Sequence, residues 1–170
     1  MPGRAAVCIL LVGLVGWTCC GAVAGPVPCD LKLKYGSRSE SPPGQFHLNL
    51  VFVNNDTVTK TACRLSGFPD VELIGPAFPT FGSIYALPRQ ARRATSVTLR
   101  VGQSAHAALT WLPSSRRRDR WVPGYVRVVV RTDRGPSLAL ALPWRYGSVL
   151  RQDAATHPGT YVGPIRPGAS

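Results

Sequence analysis

The chain has 170 residues, 45% of them apolar, which is enough to form one hydrophobic core without metals or several crosslinks. Its 17 glycines and 16 prolines disfavour long helices and predict turns between short strands, yet they are too few for a disordered low-complexity chain. The net charge of +12 is carried by 17 arginines and 3 lysines, a bias typical of GC-rich genomes that favours a bacterial, and specifically an actinobacterial, origin.

The N-terminus predicts export from the cytoplasm. Arg4 supplies a positive charge, residues 5–15 form an apolar stretch of the length found in signal peptides, and residues 22–24 form a small-x-small cleavage site. We therefore interpret residues 1–24 as a signal peptide that is removed, and we expect a protein that is secreted or held in the cell envelope.

Two alternatives remain for this segment. A retained membrane anchor would need roughly 20 apolar residues, and the apolar run here is shorter. A lipoprotein would carry its lipid on Cys19 or Cys20, but the residues before them lack the aliphatic residue that a lipidation motif places three positions ahead.

The cysteines agree with export. Three of the five lie in residues 1–24, so the exported chain keeps only Cys29 and Cys63. Two cysteines in an oxidising compartment are expected to form a disulfide bond. The alternative is a pair of free buried thiols.

The first half of the exported chain alternates between apolar and polar residues, with the period of two that is typical of half-buried strands. The runs are residues 30–35, 45–54, 63–65 and 71–74. Residues 67–69 (Gly-Phe-Pro) separate the last two runs and predict a change in chain direction.

Residues 76–94 lack a clear period and contain three prolines, so we interpret them as a long loop, which a short helix over residues 87–94 would shorten. The segment carries three aromatic and three basic side chains, namely Phe78, Phe81, Tyr85, Arg89, Arg92 and Arg93.

Strand patterns return in the second half. They cover residues 95–101, 105–111, 124–131 and 137–142. The last two runs are joined by turn-forming residues and predict a hairpin. After Trp144 the chain becomes polar, and residues 147–170 are expected to form a loosely structured C-terminal tail.

Together these patterns predict one all-β domain over residues 25–146, with seven or eight short strands. Short strands separated by regular turns in an exported chain favour an antiparallel two-sheet β-sandwich over a barrel or an α/β fold.

Three features of the sequence resemble a known family. They are Cys29 at the start of the first strand, the run Cys63-Arg64-Leu65-Ser66-Gly67-Phe68-Pro69, and the run LRVGQSAHAALTW over residues 99–111. These features are similar to the secreted actinobacterial proteins with domain of unknown function 4232 (DUF4232), over residues 29–144 of this chain. The resemblance implies an immunoglobulin-like sandwich and no activity, because the family has none assigned.

The chain departs from this family in one respect. Members commonly carry a second cysteine pair in the C-terminal half, and this sequence has Trp121-Val122-Pro123 before its penultimate strand and no cysteine there. Only the first bridge, between Cys29 and Cys63, is therefore carried over.

The sequence shows no motif that predicts catalysis. The three histidines (His47, His106 and His157) lack metal-ligand spacing, and no glycine-rich phosphate loop or nucleophile elbow occurs. Asp70 and Glu72 share a strand face, as a glycosidase pair would, but a solvated strand face explains them better. We expect no enzyme activity, no metal and no cofactor.

A basic loop is the feature with the most functional content. Four arginines lie between Pro113 and Pro123, namely Arg116, Arg117, Arg118 and Arg120. After removal of residues 1–24 the chain keeps 19 basic and 8 acidic residues, a net charge of +11. Guanidinium groups bind phosphate and carboxylate well, so the loop predicts an anionic lipid, a wall polymer or an acidic protein as partner. Trp111 and Trp121 flank the loop and are expected to add contact area.

We hypothesise that the protein is a non-enzymatic β-sandwich that binds an anionic envelope component or protein through these arginines. An arginine-rich loop that only keeps an exported protein soluble is the simplest alternative, and nucleic acid is not expected as a partner because export separates the chain from it. The first functional alternative is a secreted hydrolase with an unrecognised site around His106. The second is an accessory domain of an envelope complex that docks through Phe78, Phe81 and Tyr85.

Overall fold

The fold is all-β. A computed structural model describes residues 27–114 and 120–169, and within these residues the chain forms eleven strands and no helix, hence no apolar helix long enough to span a membrane. The strands are β1 (Leu31–Glu40), β2 (Phe46–Asn54), β3 (Cys63–Gly67), β4 (Asp70–Phe78), β5 (Gly82–Ala86), β6 (Thr95–Leu99), β7 (Ser104–Trp111), β8 (Tyr125–Val130), β9 (Leu138–Pro143), β10 (Tyr161–Val162) and β11 (Arg166–Pro167). The signal peptide predicted over residues 1–24 lies outside the described residues and stays a prediction.

The strands form two antiparallel layers. One layer has the order β1-β2-β7, with β10 and β11 both paired to β7. The other layer contains the four-stranded sheet β5-β4-β8-β9 and the two-stranded sheet β3-β6. A bridge between Leu65 and Thr132 joins these two sheets. The predicted antiparallel β-sandwich is therefore confirmed.

The core lies between the layers and follows from the alternation in each strand. Leu48, Leu50 and Phe52 of β2 point inward and are fully buried, whereas the residues between them on the outer face are mostly less buried. Val126 and Val128 of β8 are buried in the same core from the opposite layer. Burying such a side chain contributes roughly 1.5 to 3 kcal/mol, so this alternation is what holds the two layers together.

The disulfide bond predicted between Cys29 and Cys63 is present, with Cα atoms 5.7 Å apart. It connects the chain before β1 in one layer to the start of β3 in the other. We call this end of the sandwich the disulfide end; β1 and β7 begin here and β2 ends here.

Residues 76–94 are not one long loop. β4 continues to Phe78, and the chain turns at Gly82, which has a φ of 69°, into β5. A register shift between Ile74 and Phe78 accommodates Pro76, which has no N–H to donate to the ladder. Tyr85 of β5 is fully buried, and its burial together with the pairing to β4 holds a strand that the proline-rich sequence concealed.

The C-terminal segment 147–170 differs from the predicted loose tail, and the sandwich does not end at residue 146. Val149, Val162 and Ile165 in this segment are fully buried. β10 and β11 complete the free edge of β7, because the two short strands satisfy backbone groups that would otherwise stay unpaired. These three apolar residues are too widely spaced to give a strand pattern in the sequence.

Arg151 anchors the same segment to the β4–β5 hairpin. Its side chain is only 2% exposed and forms an ion pair with Asp153. Its guanidinium donates hydrogen bonds to three backbone carbonyls of the hairpin, those of Phe81, Gly82 and Ile84, at 3.0, 2.7 and 2.7 Å. Its Cζ atom also lies 4.7 Å from the ring centre of Trp121 and 5.3 Å from that of Tyr85. The charge is buried but fully coordinated, which is the condition under which a buried arginine is tolerated.

Removing the disulfide is expected to lower the free energy of unfolding by about 3 to 4 kcal/mol, because the bridge closes a loop of 34 residues in the unfolded chain. The test is urea unfolding of the double variant Cys29→Ala, Cys63→Ala. Wild type in a reducing buffer should match the variant. Equal stability of the wild type with and without reductant would contradict the expectation.

Replacing Arg151 by Met is expected to cost about 2 to 3 kcal/mol, since the carbonyls lose a charged donor but lie close enough to the surface to be partly hydrated. Arg151→Lys should recover part of the lost stability, because lysine keeps the positive charge but lacks the planar guanidinium group that donates several hydrogen bonds at once. Asp153→Asn is the matched control and should cost about 1 kcal/mol or less, because that carboxylate is partly exposed. Urea unfolding measures the stability of all three variants. An Arg151→Met variant as stable as Asp153→Asn would show that Arg151 does not anchor the C-terminal segment to the hairpin.

Candidate functional site

The predicted arginines lie in the connection between β7 and β8. We call residues 115–120 the arginine loop. Arg120 is described and is exposed to solvent, whereas Arg116, Arg117 and Arg118 lie outside the described residues.

Both stems of the arginine loop are held by one short segment, residues 148–151, which we call the strap. The amide of Leu150 donates to the carbonyl of Leu112 at 2.8 Å, and the hydroxyl of Ser148 donates to the carbonyl of Ser114 at 3.1 Å. On the other side, the amide of Val149 donates to the carbonyl of Trp121 at 2.8 Å. The strap thus fixes where the arginine loop leaves and re-enters the sandwich.

Two more exposed arginines lie at the same end of the sandwich. β1 and β7 both end here, and Arg38 is near the end of β1. Arg145 follows β9, which also ends here, because the adjacent Trp144 packs against Trp111, the last residue of β7, with ring centres 5.3 Å apart. We call this end the arginine end. Among the residues that the structure describes, the exposed cations at this end are Arg38, Arg120 and Arg145.

An aromatic cluster supports the arginine end from below. Its members are Tyr35, Phe46, Trp111, Trp144 and Tyr146, with neighbouring ring centres 5.0 to 5.8 Å apart. The guanidinium of Arg38 lies over this cluster, 4.6 Å from the ring centre of Phe46 and 5.6 Å from that of Tyr146. Such cation–π contacts hold an arginine in place while leaving its charge available.

The pKa values of the tyrosines in the cluster are shifted by burial and by the nearby positive charges. Burial raises the pKa of Tyr35 and of Tyr146 above the ordinary tyrosine value. For Tyr146, the positive charges of Arg38 and Arg145 act in the opposite direction on the pKa, because they favour the phenolate. Two guanidinium groups are therefore close enough to one ring to act on it together.

The tryptophans that flank the arginine loop do not add contact area. Trp111 and Trp121 are both buried, and the indole N–H of Trp121 donates to the carbonyl of Pro76 at 2.9 Å. Sequence reasoning misplaced them because an aromatic residue next to a charged loop has the same pattern whether it faces solvent or core. They stiffen the base of the loop instead.

His47 and His106 lie on the outer face of the β1-β2-β7 sheet. His106 has Val51 and Arg166 as cross-strand neighbours, and its Nδ1 atom is 3.1 Å from the carbonyl oxygen of Gly168. His47 has Nδ1 2.9 Å from the hydroxyl of Thr110 and Nε2 2.5 Å from the carbonyl oxygen of Ser41.

The two carboxylates on β4 are each paired with an arginine. Asp70 lies 2.5 Å from Arg89, and Glu72 accepts a hydrogen bond of 2.7 Å from Arg127 on the neighbouring strand. Ion pairs at this exposure contribute about 0 to 1 kcal/mol each. The pairing fits the interpretation of these residues as a solvated strand face.

One group of possible metal-ligating atoms occurs in the described part of the chain. The sulfur atoms of Cys29 and Cys63 lie within 4.8 Å of the carboxylate of Asp133. Because both sulfurs belong to the disulfide bond, they cannot act as thiolate ligands.

The three aromatic residues proposed as a docking surface do not form one together. Tyr85 is buried in the core, and the half-buried rings of Phe78 and Phe81 stack on each other with centres 6.0 Å apart. The accessory-domain hypothesis therefore loses the continuous patch of three exposed rings that would have supported it.

A shallow groove that sequence reasoning missed runs beside the β6 edge. It has a volume of about 370 Å³ and is lined in part by Ser66, Thr95 and the two arginines Arg89 and Arg131. Since Arg89 is paired with Asp70, Arg131 is the cation with no described acidic partner in the lining. The basic cluster at residues 89–93 was the only sequence signal for this groove. The residues on its other side belong to distant segments, so the sequence did not indicate that they lie together.

The comparison with known proteins fits the fold described above. No curated protein and no solved structure matches the chain. Residues 28–164 match a family described as a domain of unknown function (DUF4232), a range that begins just before Cys29 and includes the strap and β10. The resemblance carried by the cysteine motif is therefore confirmed, and it extends into the C-terminal segment. The chain belongs to the DUF4232 family.

Proposed function

We propose that the protein is a non-enzymatic binding domain that acts outside the cytoplasm and captures an anionic component of the cell envelope at its arginine end. The observation that carries the proposal is the convergence of exposed arginines from three separate segments: Arg38 on β1, Arg120 in the loop after β7, and Arg145 after β9. Segments so far apart in sequence share one end of the molecule only because the sandwich brings the ends of their strands to the same side.

The chemistry of this end suits phosphate groups. Guanidinium groups form charge-assisted, often bidentate hydrogen bonds with phosphate and carboxylate oxygens, and several at one site raise the rate of encounter with an anionic surface. Within the described part of the chain, Arg38 contacts aromatic rings and forms no ion pair.

The base of the site is rigid, which favours binding. The strap fixes both stems of the arginine loop, and the aromatic cluster fills the space beneath Arg38. A site that is already ordered pays less conformational entropy when a partner binds.

A further observation favours binding over hydrolysis. Asp70 and Glu72 are each held by an arginine and lie on an open strand face. Action outside the cytoplasm is supported by the disulfide bond and by the signal peptide predicted over residues 1–24.

The test is charge reversal of Arg116, Arg117, Arg118 and Arg120 to Glu in the exported, processed protein. An arginine near an anionic surface contributes about 1 kcal/mol, so four reversals should weaken binding to phosphatidylglycerol vesicles or to poly(glycerol phosphate) at least about a hundredfold at low salt. Wild-type binding should also fall as salt is raised. Co-sedimentation with vesicles and retention on immobilised polymer measure the two ligands.

The matched control reverses four exposed cations at the disulfide end, Lys60, Arg64, Arg100 and Arg131, and so changes the net charge equally. This variant should keep most of the binding. Equal loss in both variants would show that net charge alone is responsible, and absence of binding by the wild type to either ligand would end the proposal.

A further inference from the structure

A row of apolar side chains crosses the outer face of the β5-β4-β8-β9 sheet at the arginine end. Ile84 of β5 is opposite Ile74 of β4, Ile74 is opposite Tyr125 of β8, and Tyr125 is opposite Pro143 of β9. Tyr125 is the first residue of β8 and Pro143 is the last residue of β9. Within β8 and β9 the row is therefore the last one before the arginine end, and the β4–β5 hairpin continues beyond it to the pair of Phe78 and Gly82.

Val122 extends this row towards the arginine loop. It lies two residues after Arg120 and two before Gly124, whose amide donates to the carbonyl of Ile74 at 2.7 Å. The carbonyl of Gly124 in turn accepts from the amide of Trp144 at 2.8 Å. The run that carries Val122 is thus fixed between β4 and the segment that carries Arg145.

The side chains of this row are more exposed than a core residue can be. Ile84 is 46% exposed, Tyr125 is 45% exposed and Val122 is 40% exposed. The other large apolar residues that are exposed in the described part of the chain, Val27, Val58 and Val101, are at the disulfide end. Single exposed apolar residues are ordinary, whereas three beside one cationic site mark an interaction surface.

We propose that the anionic component is the surface of a lipid bilayer, and that the protein docks on it with Ile84, Val122 and Tyr125 inserted at the level of the headgroups. This inference rests on the proposed function and names its partner. A charged polymer in water offers phosphate but no apolar phase, so it would leave these side chains in water. A bilayer offers both within a few ångströms of each other.

The arrangement matches what a bilayer interface requires. Arg120 and Arg145 stand next to Val122 and Pro143 along the chain, so phosphate groups and acyl chains can be contacted at once. Tyrosine is favoured at this depth, because its ring is apolar and its hydroxyl remains at the wet boundary. Neither the arginines nor three partly exposed side chains would hold a protein on a membrane alone, but peripheral proteins commonly combine two such weak signals.

The next row of the same sheet limits how far the contact reaches. It consists of Ala86, Glu72, Arg127 and Ala141, with Glu72 and Arg127 paired. An ion pair would lose its hydration in the acyl region, so the sandwich is expected to stand on its arginine end with this second row outside the bilayer.

The test uses the exported, processed protein and vesicles of 30% phosphatidylglycerol in phosphatidylcholine. The triple variant Ile84→Ser, Val122→Ser, Tyr125→Ser should bind them about tenfold more weakly, because it removes apolar area that the bilayer covers. Its binding to immobilised poly(glycerol phosphate) should be unchanged. The matched control, Val27→Ser, Val58→Ser, Val101→Ser, should bind both ligands like the wild type.

A second measurement reports insertion directly. In the single variant Val122→Trp, the emission of the added tryptophan is obtained by subtracting the wild-type emission, which comes from the buried native tryptophans. On vesicles this emission should shift to the blue and be quenched by lipids brominated on the acyl chain. Unchanged emission on bound vesicles would overturn the inference, as would equal vesicle binding by the two triple variants.

The outcomes separate the inference from the proposed function. Polymer binding that depends on the arginines, without insertion into vesicles, would overturn the bilayer as partner and leave anion capture standing. A wild-type dimer in sedimentation that the Ile84, Val122, Tyr125 triple variant converts to monomer would assign the row to a subunit interface and also overturn the inference. Absence of binding to both ligands would remove both proposals.

Discussion

The strap, residues 148–151, is the contact on which the arginine end depends. Val149 and Leu150 donate backbone hydrogen bonds in opposite directions, one to Trp121 before β8 and the other to Leu112 after β7. The strap therefore joins the two layers at the point where the arginine loop leaves them. Arg151, the next residue, continues the same function by binding the carbonyls of the β4–β5 hairpin. A four-residue run of a segment without a strand pattern thus sets the geometry of the whole end.

The charged side chains on the sheet face and those at the arginine end are arranged differently. On the outer face of the β5-β4-β8-β9 sheet, Glu72 is matched by Arg127 on the adjacent strand, so the face is locally neutral despite the high net charge. At the arginine end, Arg38 rests on aromatic rings, which hold its position without cancelling its charge. This difference between Arg38 and the paired arginines of the sheet face supports the proposed binding at the arginine end. The apolar row beside it adds a second kind of contact at the same place.

Local patterns in the sequence predicted eight of the strands because a period of two is a property of neighbouring residues. They failed for β5, β10 and β11 for a different reason. β5 and β10 contain one buried residue each, Tyr85 and Val162, and β11 contains none, so all three are defined mainly by backbone hydrogen bonds to β4 or β7. The same limit applied to the two tryptophans, because Trp111 packs against Phe46 and Trp144 and because Trp121 is held by Pro76 and the strap, all distant in sequence.

By itself, the sequence determined the all-β class, the disulfide pairing of Cys29 with Cys63, the family, and the presence of a basic loop. These follow from residue types, their number and their local spacing. Only the tertiary structure decided that Arg38 and Arg145 join this loop at one end, that residues 148–169 belong to the sandwich, and that Ile84, Val122 and Tyr125 form an exposed row beside the arginines. The physical reason is that strand order and register are set by how the whole chain buries its apolar side chains, and this is a property that no short stretch of sequence contains.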